Sequence, residues 1–174
     1  VKVSRYITHM KKLLDPQDSL TKFIGNANTL EHKLGPLLFQ LPPGWKANPE
    51  RLRDFMALLP PYYRYTFEFR HPSWYNEEVL SLLRKHNAAF CIYELEGHMS
   101  PLHVTADFVY VRLHGPDGKY AGSYSESALR WWAAQCLEWQ RRGQEVYLYF
   151  DNDQLGYAAF NAQRLQELVR QQMG

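Results

Sequence analysis

Short apolar runs alternate along the chain with stretches in which apolar residues recur every three or four positions. Apolar runs rich in β-branched and aromatic residues are typical of buried strands, whereas the spacing of three or four is typical of one face of a helix. The pattern predicts strands at residues 1–4, 37–41, 65–69, 88–93, 108–113 and 145–150. Because strands that alternate with helices form parallel βαβ units, we expect an α/β fold.

The helical stretches carry their own start signals. Ser, Thr, Asp and Asn are favoured N-caps because a side-chain oxygen accepts a hydrogen bond from an N–H of the first turn. The predicted caps are Asp18 or Ser19, then Asn48, Asn76 and Ser123, the last within a capping box that ends at Glu126. Pro49 suits the first helical position after Asn48, and the last helix is predicted over residues 158–171.

Two architectures fit this alternation, a (β/α)₈ barrel and an open doubly wound sheet. The dinucleotide-binding form of the open sheet uses a G-x-G-x-x-G turn. The chain contains no such pattern, so the nucleotide-binding sheet loses its usual support. The units between strands differ in length and show no sequence repeat, which also disfavours a solenoid.

Segments spread over the whole chain resemble motifs of the DUF72 (YecE-like) family. They occur in the family's order at residues 2–9, 35–43, 68–74, 105–115, 149–153 and 158–162. A single segment of this kind is weak evidence, whereas six in register are specific. The resemblance implies a TIM-barrel fold and no particular reaction.

The resemblance also implies that the chain supplies strands three to eight of the eight barrel strands. On this interpretation residues 1–174 form a single barrel domain that is truncated at its N-terminus. Because open strand edges pair with other chains, we expect residues 1–174 alone to be poorly soluble or to depend on the missing segment. One departure concerns Asp151, since the family usually has Asn there and a charge replaces an amide.

Composition narrows the class of partner and the compartment. The net charge is +2, which is too small to indicate a nucleic-acid-binding surface, so nucleic acid is not the favoured partner. No apolar run approaches the roughly 18 residues that would span a membrane. Cys91 and Cys136 lie within apolar patterns, so we predict buried free thiols and a reducing, cytoplasmic location.

Polar residues recur where predicted strands end, which is where TIM barrels place their working residues. The candidate catalytic residues are Glu68, His71 and His114. The candidate substrate-binding residues are Gln40, Arg70, Arg112, Lys119, Asp151, Asn152 and Asp153. We expect these side chains to surround one cavity, although polar groups also line any solvated barrel end.

Each group has a structural alternative. Glu68 and Arg70 share one face of a strand, so Glu68 is either a general base whose pKa Arg70 sets, with His71 as a proton carrier, or one half of a buried ion pair. Arg112 and Lys119 could hold an anion beside a glycine-bearing loop, or Lys119 could simply be exposed.

The other polar and aromatic candidates have similar alternatives. Residues 151–153 supply either oxygen ligands and substrate contacts or an N-cap. Trp45 and Trp74 could be stacking platforms, but packing is the expected use.

The sequence leaves the function open between two classes. The first is an enzyme, a hydrolase or isomerase in type, that acts on a polar anionic substrate by acid–base or metal-assisted chemistry. The second is a barrel that binds nucleic acid or a metabolite without turnover. No H-x-H, H-E-x-x-H or C-x-x-C spacing is present, so a metal site would have to assemble across strands and no metal or cofactor is named.

Overall fold

The computed structural model describes residues 1–173 and divides the chain into two compact units. The first unit is Val1–Phe90 and the second begins at Cys91. Both units combine helices with mainly parallel strands, which confirms the predicted α/β class. The prediction that the chain forms a single domain stays a prediction.

The first unit contains strands β1 (Leu37–Gln40) and β2 (Tyr65–Glu68), which pair in parallel with Leu37 opposite Tyr65. The first two residues of β3 (Ala89–Leu95) pair in parallel with β2. The predicted strand at residues 1–4 is wrong in extent, because only a single parallel bridge joins Lys2 to Leu38.

The helices of the first unit are α1 (Gln17–Ala27), α2 (Pro49–Ala57) and α3 (Glu77–Lys85). The Asn48 side chain accepts from the Arg51 N–H at 2.9 Å, and the Asn76 side chain accepts from the Val79 N–H at 3.0 Å. Both predicted caps are therefore confirmed. Shorter helical turns lie at Tyr6–Met10, Asn28–Lys33 and Pro72–Trp74.

The predicted cap of α1 is wrong. The helix begins at Gln17, after Pro16, so it already includes both candidate caps. The Pro16 carbonyl accepts from the Leu20 N–H at 2.7 Å and from the Ser19 hydroxyl at 2.9 Å. Ser19 thus donates backwards to the Pro16 carbonyl instead of accepting from an N–H of the first turn.

The second unit contains the rest of β3, the short β4 (His98–Met99), β5 (Phe108–Leu113) and β6 (Glu145–Phe150). Strand β5 pairs in parallel with both β3 and β6. Strand β4 was not predicted, and it pairs with β3 in antiparallel fashion. The connecting residues Glu96 and Gly97 both have positive φ, 52° and 76°, which is the geometry of a tight hairpin turn.

The helices of the second unit are α4 (Glu126–Arg141) and α5 (Tyr157–Met173), with a short turn at Gln154–Gly156 before α5. The predicted capping box is wrong, since Ser125 caps α4 by accepting from the Ala128 N–H at 3.2 Å. Ser123 instead accepts from the Asn161 side chain at 3.1 Å. Ser123, which the local pattern favoured as the cap, thus makes a tertiary hydrogen bond with α5 instead.

Aromatic rings fill one side of the sheet in the first unit. Phe39 stacks on Phe67 at 5.1 Å between centroids and meets Phe55 of α2 edge-on at 5.2 Å. Trp74 is fully buried and its indole N–H donates to the Trp45 carbonyl at 2.7 Å. The packing interpretation of the two tryptophans is therefore confirmed.

Two further sequence predictions concern thiols and membranes. Cys91 and Cys136 are both buried and unbonded to each other, as predicted. Among residues 1–173, no helix combines the length and the apolar character that a membrane span requires.

Loss of a side-chain cap should be measurable at α3. We expect Asn76→Ala to lower the free energy of unfolding by about 1 kcal/mol, because the Val79 N–H loses its acceptor. Asn26→Ala, on the exposed side of α1, is the matched control and should be neutral or slightly stabilising. Urea titrations followed by circular dichroism give both values, and equal effects of the two variants would contradict the capping role.

Candidate functional site

The first group of polar residues surrounds Glu68 at the end of β2. Glu68 has no exposed surface, and its carboxylate forms an ion pair with the Arg70 Nε, whose side chain is 9% exposed. Phe67 and Phe69 lie on the opposite face with their rings stacked at 6.2 Å. The predicted alternation along this strand is therefore confirmed, and Glu68 and Arg70 are brought together.

Gln40 and His9 lie in the surroundings of Glu68. Gln40 ends β1 directly in register with Glu68 on the neighbouring strand. Burial lowers the pKa of His9, the charges of Arg5 and Lys2 lower it further, and the Glu68 carboxylate acts in the opposite direction. Sequence analysis gave His9 no role, because its position in a short helical turn carries no periodic signal.

His71 has a local structural use. Its Nδ1 accepts from the Ser73 N–H at 3.2 Å and lies 2.8 Å from the Ser73 hydroxyl. The same hydroxyl accepts from the Ala47 N–H at 2.8 Å. His71 therefore caps the turn at Pro72–Trp74, and its predicted role as a proton carrier stays a prediction.

The second group of polar residues lies at the carboxyl ends of β5 and β6. The Asp151 Oδ2 is 2.9 Å from the Arg112 Nη2 and 3.5 Å from the His114 Nδ1. His114 is fully buried, whereas the side chains of Arg112 and Asp151 are 13% and 28% exposed. Three of the predicted site residues therefore form one cluster that reaches solvent through its two charged members.

Strand geometry brings this cluster together. Arg112 precedes His114 by two residues, so both side chains leave the chain on the same face. Strands β5 and β6 pair in register with Arg112 opposite Tyr149, and Asp151 follows Tyr149 by two residues. The alternation that predicted a shared face for Arg112 and His114 also places Asp151 on that face.

Tyrosines border the charged cluster. Tyr110 and Tyr149 lie 5.1 Å apart between ring centroids, and Tyr149 is 44% exposed. Burial raises the pKa of Tyr110 and of Tyr149, and in Tyr149 a hydrogen bond from Tyr110 opposes the rise. Both phenols are therefore neutral hydrogen-bonding groups near neutral pH. Sequence analysis missed them, although their two-residue spacing from Arg112 and Asp151 would have located both.

The loop after β5 folds tightly because of two glycines. Gly115 has a φ of 110°, and a Cβ there would lie 2.1 Å from the Ala121 carbonyl oxygen. Gly122 has a φ of 82°, and a Cβ there would lie 2.2 Å from the Asp117 carboxylate. Only glycine accommodates both the left-handed backbone and the close approach. The loop is therefore a defined structure beside His114.

Asn152 anchors this loop from the end of β6. Its side-chain amide donates to the Gly122 carbonyl at 2.8 Å and to the Asn161 Oδ1 at 2.9 Å. Asn161, in α5, also accepts from the Tyr124 N–H at 3.2 Å. Both asparagines are buried. These bonds give Asn152 a structural role, and its predicted contact with substrate stays a prediction.

The remaining predicted site residues lie at the surface. Lys119 is exposed, with its Nζ 5.7 Å from the centre of the Tyr120 ring. Asp153 is exposed and precedes the short turn at Gln154–Gly156, where its side chain makes no capping hydrogen bond. The capping alternative is therefore wrong for the Asp153 side chain.

Glu94, at the end of β3, interacts with Tyr124. Burial raises the pKa of Glu94, and a hydrogen bond from the Tyr124 hydroxyl opposes that rise. The same hydroxyl accepts from the Gly115 N–H at 3.1 Å. Burial raises the pKa of Tyr124, so the phenol keeps its proton and donates a hydrogen bond to the Glu94 carboxylate.

The structure gives no support to a metal centre in residues 1–173. Within that range, no three side chains of His, Cys, Asp or Glu are grouped closely enough to hold an ion. Whether the groups of the two units surround one cavity stays a prediction.

Comparisons with known proteins agree on one family. A family model described as "Protein of unknown function DUF72" matches residues 1–174. The crystal structure of a DUF72 family protein, TM1631 of Thermotoga maritima, is 29% identical with a TM-score of 0.88, and the match covers 98% of this chain and 72% of that one.

A more distant structure shows the same fold. It is the DUF72 family protein EF0366 of Enterococcus faecalis, at 20% identity and a TM-score of 0.79, over 97% of this chain and 76% of that one. No curated protein matches the chain. Since the family model spans the whole sequence, the chain belongs to the DUF72 family.

Proposed function

We propose that the protein is an enzyme that performs acid–base chemistry on a polar substrate with an anionic group, bound at the carboxyl ends of β5 and β6. The supporting observation is the position of the Asp151 carboxylate, 2.9 Å from the Arg112 guanidinium and 3.5 Å from the His114 imidazole. A carboxylate beside an imidazole orients the ring and stabilises the cation that forms when the ring takes a proton. This arrangement suits a proton-transfer step.

Each member of the cluster has a separate role in the proposal. His114 takes a proton from the substrate and returns it, and Asp151 fixes the orientation of His114. Arg112 contacts the anionic group, because a guanidinium with five N–H donors can hold a carboxylate and a second anion together. The 3.5 Å separation is longer than a hydrogen bond, and such distances commonly shorten when substrate binds.

The reaction classes that fit are hydrolysis and isomerisation, since both depend on a proton transfer at a polar substrate. The proposal keeps Glu68 and His71 as further acid–base candidates and Gln40 and Arg70 as binding candidates. It also keeps the barrel interpretation with strands three to eight present, which the likeness to DUF72 structures supports.

A non-catalytic nucleic-acid-binding role has less support. The net charge of the chain is only +2, which is small for a protein whose main contacts would be with phosphates. If nucleic acid were the partner, affinity for a single-stranded oligonucleotide would fall steeply as salt rises. We expect no such salt-dependent binding in a fluorescence anisotropy titration.

Removal of the proton carrier or of its orienting carboxylate should slow the reaction. We expect His114→Gln and Asp151→Asn each to reduce the rate by a factor on the order of 10²–10⁴, as for other general acid–base groups. The measurement is turnover of a panel of phosphate, carboxylate and sugar-acid substrates, followed by proton release or by chromatography.

The matched control for this series is Asp107→Asn, the same exchange at an exposed position that precedes β5. It should retain the full rate. If the unmodified chain turns over a substrate and His114→Gln does so equally fast, the proposed role of His114 is wrong.

The buried Glu68–Arg70 pair should matter for stability. We expect Glu68→Gln to lower the free energy of unfolding by roughly 3 kcal/mol, because the buried guanidinium loses its counter-charge. Glu78→Gln is the matched control, since Glu78 pairs with Arg53 at an exposed site and should cost less than about 1 kcal/mol.

The same Glu68→Gln variant separates the two interpretations of Glu68. Chemical denaturation measures the stability effect, and the substrate panel measures the rate per folded molecule. A loss of stability at an unchanged rate would leave Glu68 as a purely structural ion pair. A lower rate per folded molecule would support Glu68 as the general base.

A further inference from the structure

A cleft of about 530 Å³ opens in the second unit beside the end of β3 and the first turns of α4. Its lining includes Glu94, Met99, Asp117, Tyr124 and Trp131, none of which belongs to the catalytic cluster proposed above. This volume lies within the range of small-molecule pockets and far exceeds the space that a bare metal ion occupies. The cleft is therefore a candidate site for an organic ligand.

Trp131 provides an aromatic surface at the cleft. Its side chain is 43% exposed, although it belongs to the largest apolar residue type. The neighbouring Trp132 is 1% exposed and meets Trp131 edge-on at 4.8 Å with an interplanar angle of 80°. Contact with the buried ring restricts Trp131, which lowers the cost of ordering its side chain against a ligand.

Glu94 provides a positioned carboxylate in the same cleft. The Tyr124 hydroxyl donates to this carboxylate and accepts from the Gly115 N–H, so the acid is fixed through two elements. Burial raises the pKa of Glu94, which means that the charged form is destabilised where it lies. A cationic ligand would relieve that cost, because an opposite charge nearby favours the carboxylate.

The other charges at the cleft have the same sign. Asp117 is a second carboxylate in the lining, and none of the described lining residues is Lys, Arg or His. The N-terminus of α4 carries a partial positive charge, and Glu126 in its first turn is already paired with Arg130 and Arg164. An anionic ligand would therefore meet two carboxylates and no cationic side chain in the lining, whereas a cation would be attracted to both carboxylates.

We infer that this cleft binds an organic ammonium ligand, whose charged group sits between the Glu94 carboxylate and the face of the Trp131 indole. Attraction between a cation and an indole face is strongest among the aromatic side chains. The neighbouring Met99 thioether is 40% exposed and adds a polarizable contact for the methyl or methylene groups of such a ligand. Charge complementarity distinguishes this ligand class from sugars, which carry no charge.

The test compares choline with its neutral isostere 3,3-dimethyl-1-butanol, which has the same shape without the charge. The chain contains five tryptophans, so a nitrogen–proton correlation spectrum resolves individual indole signals, and the Trp131 signal is the one that Trp131→Phe removes. We expect choline to shift this signal in a saturable way and the neutral alcohol to leave it unchanged. Glu94→Gln should weaken choline binding about tenfold.

The charge-matched control is Glu138→Gln, since Glu138 of α4 has a partly exposed side chain that pairs with Arg142 outside the cleft. It should bind choline as the unmodified chain does. Equal binding of choline and the alcohol, no shift with choline, or an equal loss in Glu138→Gln would each overturn the inference. The comparison of the two probes does not use Glu94→Gln, so it decides the question even if that variant fails to fold.

Discussion

Burial of charge is the constraint on which the strand ends of this protein depend. A carboxylate or guanidinium taken out of water costs several kcal/mol unless an opposite charge meets it. Glu68 has no exposed surface, and Arg70 supplies its partner from two residues further along the chain. Arg112 is 13% exposed, and Asp151 supplies its partner from the neighbouring strand end. Each of these charged groups is therefore stabilised at its position by a neighbouring group of opposite charge.

The two-residue period of a strand explains why part of this was predictable. A shared face for Glu68 and Arg70, or for Arg112 and His114, follows from alternation alone, and both pairs appear in the structure as expected. The caps at Asn48 and Asn76 were equally accessible, since the acceptor and donor are three residues apart. These features depend on residues that are close together in the sequence, so a local pattern is enough to predict them.

The capping box was predicted wrongly because a residue distant in sequence decides which serine caps the helix. Ser123 matched a capping box, yet Asn161 from α5 takes its hydroxyl and Ser125 caps the helix instead. The role of Asn152 likewise depends on contacts with the loop after β5 and with α5. No local pattern encodes such a contact, because the competing partner is distant in sequence and only the folded chain brings it close.

The loop after β5 connects the two sites that we propose. Gly115 follows His114 directly, and its N–H donates to the same Tyr124 hydroxyl that donates to Glu94. Asn152, next to Asp151, holds Gly122 of the same loop. A ligand that moved the Glu94 carboxylate would change the hydrogen bonding of Tyr124, and through Gly115 it would act on the backbone that positions His114. Chains of hydrogen bonds can carry coupling between two sites, and this chain joins the cleft to the backbone beside the charged cluster.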